Sequence, residues 1–137
     1  MKYLVDTNVL SEVRKGPRCN DAVAAWWSTV SEDAIFVSVL TVGEIRKGIE
    51  KARRRDVPFA MALEAWLLRV ITSYRDRILA IDLDIVEEWG RLNAPDPLSI
   101  IDGLIAATAK VHGLMLVTRN IPDVARTGVH SLNPWST

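Results

Sequence analysis

A chain of 137 residues, 49% of them hydrophobic, has the size of one domain and can bury most of its apolar surface around one core. Its 17 basic and 17 acidic side chains balance, which excludes coating of nucleic acid or anionic lipid by bulk charge and requires any nucleic-acid contact to come from a local patch. The single cysteine, Cys19, excludes an internal disulfide, and no apolar run is long enough to span a bilayer, so a cytoplasmic chain with neither membrane segment nor signal peptide is expected.

Lys2-Tyr3-Leu4-Val5 reads as a buried strand, and Asp6-Thr7-Asn8 follows it directly, so a carboxylate stands where a strand ends and a helix begins. That helix is expected over residues 7–15, stopped by Gly16-Pro17. A second is expected over 21–30, with Val23, Ala24, Trp27 and Val30 on one face. Ile35-Phe36-Val37 predicts strand two. Residues 38–55 predict a long helix that begins at or near Thr41 and ends in the solvated basic run Arg53-Arg54-Arg55. Pro58 opens another helix to about Tyr74, and its stripe of Leu63, Trp66, Leu67 and Val70 predicts a hairpin with the helix before it.

Residues 77–81 predict a third strand and 82–93 a helix bearing Ile85, Val86, Trp89 and Leu92, ended by Pro95-Asp96-Pro97 with Asp96 as a turn residue. The most apolar helix is expected over 99–112, stopped by Gly113. Residues 114–118 predict strand four, 119–123 a loop and 129–132 a last short strand. Strands alternating with helices predict an α/β fold: an α/β/α sandwich with a central parallel sheet, as a single domain over residues 1–137.

On that scheme Asp6 follows the first strand, Glu44 lies in the first turn of the helix after the second, Asp102 opens the apolar helix, and Asp123 follows the fourth strand. The carboxyl edge of a parallel sheet is where ligands bind, because the connections diverge there and leave a crevice. Each acid alone has an ordinary explanation. Thr41-Val42-Gly43-Glu44 fits a capping box, Ser99-Ile100-Ile101-Asp102 is its aspartate version, Asp6 suits an N-cap, and Asp123 suits a cap after Pro122. Four together ask for more, Asp102 most of all, since Ile101, Leu104 and Ile105 around it are apolar. Neighbouring carboxylates stay ionised only if a cation compensates them. Mg²⁺ or Mn²⁺ suits an oxygen-only set and borrows further oxygens from a phosphate substrate, so the pattern points to phosphate chemistry. Zinc is disfavoured: only His112 and His130 are present, neither spaced with a second His or a Cys pair. A haloacid-dehalogenase-like phosphatase also places an Asp after strand one, but it needs a second Asp where Asn8 stands; a receiver domain wants paired acids there.

Leu4-Val5-Asp6-Thr7-Asn8-Val9-Leu10, Ser38-Val39-Leu40-Thr41-Val42-Gly43-Glu44-Ile45-Arg46-Lys47-Gly48, Ile101-Asp102-Gly103-Leu104-Ile105-Ala106-Ala107-Thr108-Ala109 and Leu116-Val117-Thr118-Arg119-Asn120-Ile121-Pro122-Asp123, with the ending Asn133-Pro134-Trp135, resemble the PIN-domain family in that order over nearly the whole chain. The nearest likeness is to VapC and FitB-type bacterial toxins. The resemblance implies a Mg²⁺- or Mn²⁺-dependent endoribonuclease, the toxin of a type II toxin-antitoxin pair. It matches Asp6, Glu44 and Asp102 to three core acids, Asp123 to a fourth, and Thr7, Asn8, Thr118 and Asn120 to polar positions of the same pocket. Asp6 and Asp102 are then expected as direct metal ligands, with Glu44 and Asp123 as ligands through water or as orienters. Gly103 departs from the family's usual Ala or Ser, and Val124 from an aromatic.

The resemblance further implies an RNA substrate, a homodimer, and an antitoxin gripped by the helical hairpin, here the region from Ser38 to Tyr74, with DNA contacted only through the antitoxin. Positive charge for RNA is expected from Arg46 and Lys47, within a turn of Glu44, and from Arg119; the alternative that Arg46 pairs with an acid stays open. Trp66 and Trp89, on apolar stripes, read as core or a protein-binding face rather than as stacking platforms. A catalytically inactive PIN scaffold that binds RNA or protein is the remaining alternative.

Overall fold

The structure, a computed structural model, describes residues 1–94 and 97–136; the reading of Asp96 as a turn residue lies outside the described residues. Strands β1 (Tyr3–Val5), β2 (Ile35–Ser38), β3 (Ile78–Leu79), β4 (Met115–Val117) and β5 (Ser131–Leu132) form one parallel sheet in the order β3-β2-β1-β4-β5. Tyr3 and Leu4 of β1 stand opposite Ile35 and Phe36 of β2 on one side and Met115 and Leu116 of β4 on the other.

Helices account for the connections: α1 (Thr7–Val13), α2 (Asp21–Ser28), α3 (Val39–Arg53), α4 (Val57–Tyr74), α5 (Leu83–Asn93), α6 (Ile100–His112) and α7 (Ile121–Ala125). Side chains that alternate along the strands divide the core between the two faces of the sheet. Leu4 and Leu116 pack with Ile105, Ala106 and Ala109 of α6 and Val124 of α7. Val5, Ile35, Val37 and Val117 pack on the other face with Val9 and Leu10 of α1 and Val70 and Tyr74 of α4. The expected sandwich is therefore present. A third cluster, Ile45 and Ile49 with Ala60 and Leu67, holds α3 against α4 and makes the expected hairpin.

Three local expectations change. Helix α3 begins at Val39 rather than near Thr41, because the Leu40 amide donates to Ser38 Oγ at 3.0 Å and closes the cap three residues early. Thr41, instead of capping, is fully buried. The segment expected as a loop up to Asp123 contains α7, with Pro122 in its first turn, where its missing N–H removes no helical bond. Helix α1 stops at Val13, and the Gly16-Pro17 signal appears as a separate 3₁₀ turn, Gly16–Arg18.

Candidate active site

The short strand β1 delivers Asp6 to the carboxyl edge of the sheet, between β2 and β4. Its backbone is already extended, and its carboxylate is held twice: Oδ1 accepts from the Thr7 amide at 2.8 Å and Oδ2 from the Thr118 hydroxyl at 2.8 Å. Asp6 is thus the N-cap its sequence suggested, and more, since Thr118 comes from the end of β4. The Thr118 hydroxyl in turn accepts from the Asn120 amide at 3.1 Å and from Asn8 Nδ2 at 3.4 Å. The Arg119 amide donates to Asn8 Oδ1 at 3.4 Å. These bonds join the β1–α1 and β4–α7 connections into one polar floor. Of the two lone pairs on each Asp6 oxygen, the bonds from Thr7 and Thr118 occupy one apiece.

Glu44 reaches this floor from α3: the Thr7 hydroxyl donates to Glu44 Oε1 at 2.6 Å. It does so from the second turn of α3, not the first, because the helix starts early. Asp102 lies in the first turn of α6, where its amide donates to Ser99 Oγ at 3.3 Å, the capping bond expected from the sequence. The electrostatics of Asp6 tie the three acids together. Burial pushes its carboxyl above the usual aspartate range; the bonds from Thr118 and Thr7 pull it down, and the charges of Glu44 and then Asp102 push it up again. The fold thus places an acid where its charged form is disfavoured.

Asp123 stands apart. It is exposed in the first turn of α7, and among the described residues no hydrogen bond or ion pair joins it to Asp6, Glu44 or Asp102. It does not cap α7, whose N-cap is Asn120, without a side-chain cap bond. Val124, at the position noted as unusual, is buried against Leu116 and Ala106 and anchors the helix.

Among the described residues no group of three or more His, Cys, Asp or Glu side chains is drawn close enough to hold a metal ion unaided. The donor set is nevertheless oxygen only. It suits a hard divalent ion that keeps several waters and needs one or two carboxylates, better than one requiring a closed cage of protein ligands.

Of the three expected RNA-binding cations, Arg46 is committed elsewhere. Its guanidinium pairs with Glu64 of α4 and, at 3.4 Å, with Glu50, as the alternative reading had it. Arg119 stacks over Trp135, 4.8 Å from the ring centre, which ties the chain's end to the floor of the site. Lys47 is exposed.

Sequence reasoning missed how Asp102 is positioned. Gly103, beside it, is buried against α5: a Cβ there would stand 2.8 and 2.9 Å from the Asn93 amide and 3.0 Å from Trp89 Nε1. Asn93, itself nearly buried, donates to the Trp89 carbonyl at 2.9 Å and accepts from the Leu98 amide at 2.9 Å, fixing the approach of the chain to α6. The departure from Ala or Ser at position 103 thus makes room for a buried amide. A glycine at the start of a predicted helix, ten residues after an Asn, was the only trace of it.

Comparison with known proteins agrees with the geometry. The PIN domain model matches residues 3–126. The VapC ribonuclease Y4jK of Sinorhizobium fredii is 34% identical, covering 96% of each chain, and the toxin FitB of Neisseria gonorrhoeae 28% identical, covering 96% of this chain and 97% of that one. The crystal structure of FitAcB from Neisseria gonorrhoeae superposes with a TM-score of 0.89 at 29% identity, over 98% of this chain and 99% of that one; a FitAB structure bound to an IR36 DNA fragment gives 0.87 at 28%, over 97% and 95%. With a family model spanning most of its length and a relative of this identity aligned end to end, the chain belongs to the PIN-domain family.

Proposed function

We propose that the protein is a Mg²⁺- or Mn²⁺-dependent endoribonuclease, the toxin of a type II toxin-antitoxin pair, which hydrolyses RNA phosphodiester bonds at a site built on Asp6, Asp102 and Glu44, with Asp123 joining when substrate and metal are bound. The observation that carries this reading is Asp6: a carboxylate disfavoured by burial and by two neighbouring acids, yet anchored by two hydrogen bonds. A site that stores negative charge in this way gains most from a cation. The relatives named as a VapC ribonuclease and the toxin FitB support the activity and the toxin role. Family membership removes the phosphatase and receiver alternatives, which lacked a second acid at Asn8 in any case.

In this reading Asp6 and Asp102 would hold a divalent ion, which would supply Lewis-acid neutralisation of the phosphate and a water of lowered pKa. The chain's own residues do the rest. Thr118 and the Thr7 amide hold the Asp6 carboxylate in one orientation, so that its remaining lone pairs face a ligand without rearrangement. The Thr7 hydroxyl fixes Glu44 Oε1 and leaves Oε2 to accept a proton or orient a water. Asn8 and Asn120 keep the Thr118 hydroxyl acting as a donor toward Asp6 by occupying its acceptor side.

The partners follow the same reading: an antitoxin held by the α3–α4 hairpin, where Val57, Met61 and Leu68 leave apolar surface exposed, a second copy of the chain, and DNA reached only through the antitoxin. Among the described residues no helix is long and apolar enough to cross a membrane.

The test is cleavage of total cellular RNA by the purified chain with Mg²⁺ or Mn²⁺ and with chelator, beside folded Asp6→Asn and Asp102→Asn variants. Discrete fragments that require metal and disappear in both variants are expected. Metal-free or variant-independent cleavage would remove the site. Retention of RNA without cleavage would favour the inactive scaffold.

A further inference from the structure

Helix α3 carries two sets of cations with opposite fates. At 100° per residue, Arg46 and Arg53 fall on the side of α3 that meets α4, where both pair with Glu64 and both also pair with Glu50. Their charge is spent within the hairpin. Lys47 and Lys51 fall instead within about 60° of Glu44 around the helix, and Arg54, at the helix end, continues the row. All three are exposed, and among the described residues none of them makes an ion pair. The row therefore starts at an acid of the site and runs about 15 Å to Arg54 at 1.5 Å per residue.

That row lines an open cleft of about 820 Å³, to which Arg55 and Phe59 also contribute. The two acids on the cleft are already engaged. Glu50 holds Arg46 and Arg53, and Asp56 Oδ1 accepts from the Phe59 amide at 3.1 Å as the cap of α4. What the cleft offers a ligand is four cations, Lys47, Lys51, Arg54 and Arg55, against the one carboxylate of Asp56, and one aromatic face, for Phe59 is 44% exposed. A fifth cation, Arg14, stands 5.9 Å from the centre of the Phe59 ring.

Resting on the proposed nuclease reading, we infer that this row is the track for the sugar-phosphate backbone of single-stranded RNA on one side of the scissile bond, with Phe59 as the platform on which a base stacks. An evenly spaced line of cations beginning at the reacting site is what a linear polyanion needs, and an exposed ring among them supplies contact that does not depend on sequence. A nearly neutral protein cannot gather RNA by bulk charge, so a local line of this kind carries the electrostatic part of binding. The track also gives the cluster of arginines at the end of α3 a split role: Arg53 is structural and Arg54 and Arg55 bind.

The experiment measures binding of a fluorescently labelled single-stranded RNA of mixed sequence to full-length protein carrying the inactivating Asp6→Asn substitution, by anisotropy, from 50 to 200 mM KCl. Adding Lys47→Ala, Lys51→Ala and Arg54→Ala together is expected to weaken binding at least tenfold at the lowest salt and to reduce the slope of log K against log salt by about 2, since each single-strand phosphate contact contributes about 0.7. Lys47→Arg with Lys51→Arg, Arg54 left in place, should keep the wild-type slope, and Phe59→Ala should weaken binding with the slope unchanged. In the otherwise wild-type protein the triple substitution should raise KM and spare kcat. Lys110→Ala, which breaks a pair with Glu88 on another surface, should change none of these. An active wild type whose triple variant, folded by circular dichroism, keeps both slope and KM overturns the track alone. So does a triple variant that loses affinity for polyglutamate but not for RNA, which would assign the row to an acidic protein segment. A wild type that cuts no RNA overturns the nuclease reading itself, so the two failures are distinct.

Discussion

The two helix pairs that bring Glu44 and Asp102 to Asp6 are joined by opposite means. Between α3 and α4 the contact is apolar at the centre, Ile45 and Ile49 against Ala60 and Leu67, and ionic at the rim, where Glu64 receives Arg46 and Arg53. Between α5 and α6 the contact nearest the site is a close backbone approach, with Gly103 against the Asn93 amide and the Trp89 indole. The hairpin tolerates change because its polar links are half-exposed and their loss is worth a few tenths of a kcal/mol to about 1. The α5–α6 contact does not, because the Asn93 amide there is nearly buried and bonded on both sides, to the Trp89 carbonyl and the Leu98 N–H. Glu44 is therefore presented by an adaptable element and Asp102 by a rigid one.

The largest effect that would break this comparison comes from adding one methyl group at Gly103. Alanine in a helix is ordinarily better than glycine by about 1 kcal/mol. Here the new Cβ would stand 2.8 Å from Asn93 Nδ2 and force the amide away from the Trp89 carbonyl and the Leu98 N–H. Unmaking those buried bonds costs about 1–3 kcal/mol, so the clash outweighs the propensity. Gly103→Ala is expected to lower unfolding stability by about 1 kcal/mol net, and to reduce RNA cleavage by more than its small loss of folded protein explains, because Asp102 is the preceding residue. Urea titration and single-turnover cleavage check it. A variant more stable than wild type would show that Asn93 moves freely and that α6 is no more rigidly placed than α3.

That glycine also marks where the sequence stopped being informative. The order of strands and helices, the capping bond from Ser99 and the acid after β1 were all legible, because each is set by residues close together in the chain. So were the two long helices of the hairpin, whose apolar stripes repeat at helical spacing. Illegible were meetings of distant residues such as Arg46 with Glu64 and Asn93 with Gly103, while Thr118 came to the pocket of Asp6 through the family resemblance alone. The early start of α3 was missed for a local reason. Ser38 and Thr41 are both good caps, and burial of Thr41 decides between them. Residues 119–123 read as a loop although Pro122 stands in the first turn of α7, since proline suits a first helical turn as well as it suits a loop.

Asp6, where the influences of both helix pairs meet, sharpens the comparison through pH. Its folded pKa lies above the ordinary aspartate value, so the folded metal-free protein binds this proton more tightly than the unfolded chain. Stability contributed through Asp6 therefore falls as pH rises from the ordinary aspartate value through the raised one, and is constant above it. The glutamates lowered by ion pairs, Glu50, Glu64 and Glu88, act with the opposite sign, losing their contribution as pH falls. They are common to wild type and variant and cancel in a difference. The stability of Asp6→Asn minus that of wild type should thus climb across that interval and then level off. Above the interval, Mg²⁺ should stabilise wild type and leave Asp6→Asn unmoved. Urea titrations at stepped pH, in chelator and then in Mg²⁺, supply the curve; a difference flat in pH would mean that burial of the Asp6 carboxyl, with the smaller push from Glu44 and Asp102, does not raise its pKa as described.

The smallest effect comes from making the same glycine-to-alanine change on the adaptable side. Gly48 lies in the middle of α3, four residues after Glu44, and a Cβ built there meets nothing within 4 Å. No turn or close approach asks for glycine at this position, so only the helix propensity remains, and Gly48→Ala should raise stability by about 0.5–1 kcal/mol. The opposite signs at positions 48 and 103 would show directly that α3 has room on its open face and α6 has none where it meets α5. Thermal melts of the two variants in chelator, with wild type alongside, are sufficient. If Gly48→Ala were also destabilising, α3 would have to be strained in a way its open surroundings do not account for, and the contrast between an adaptable Glu44 and a fixed Asp102 would fail.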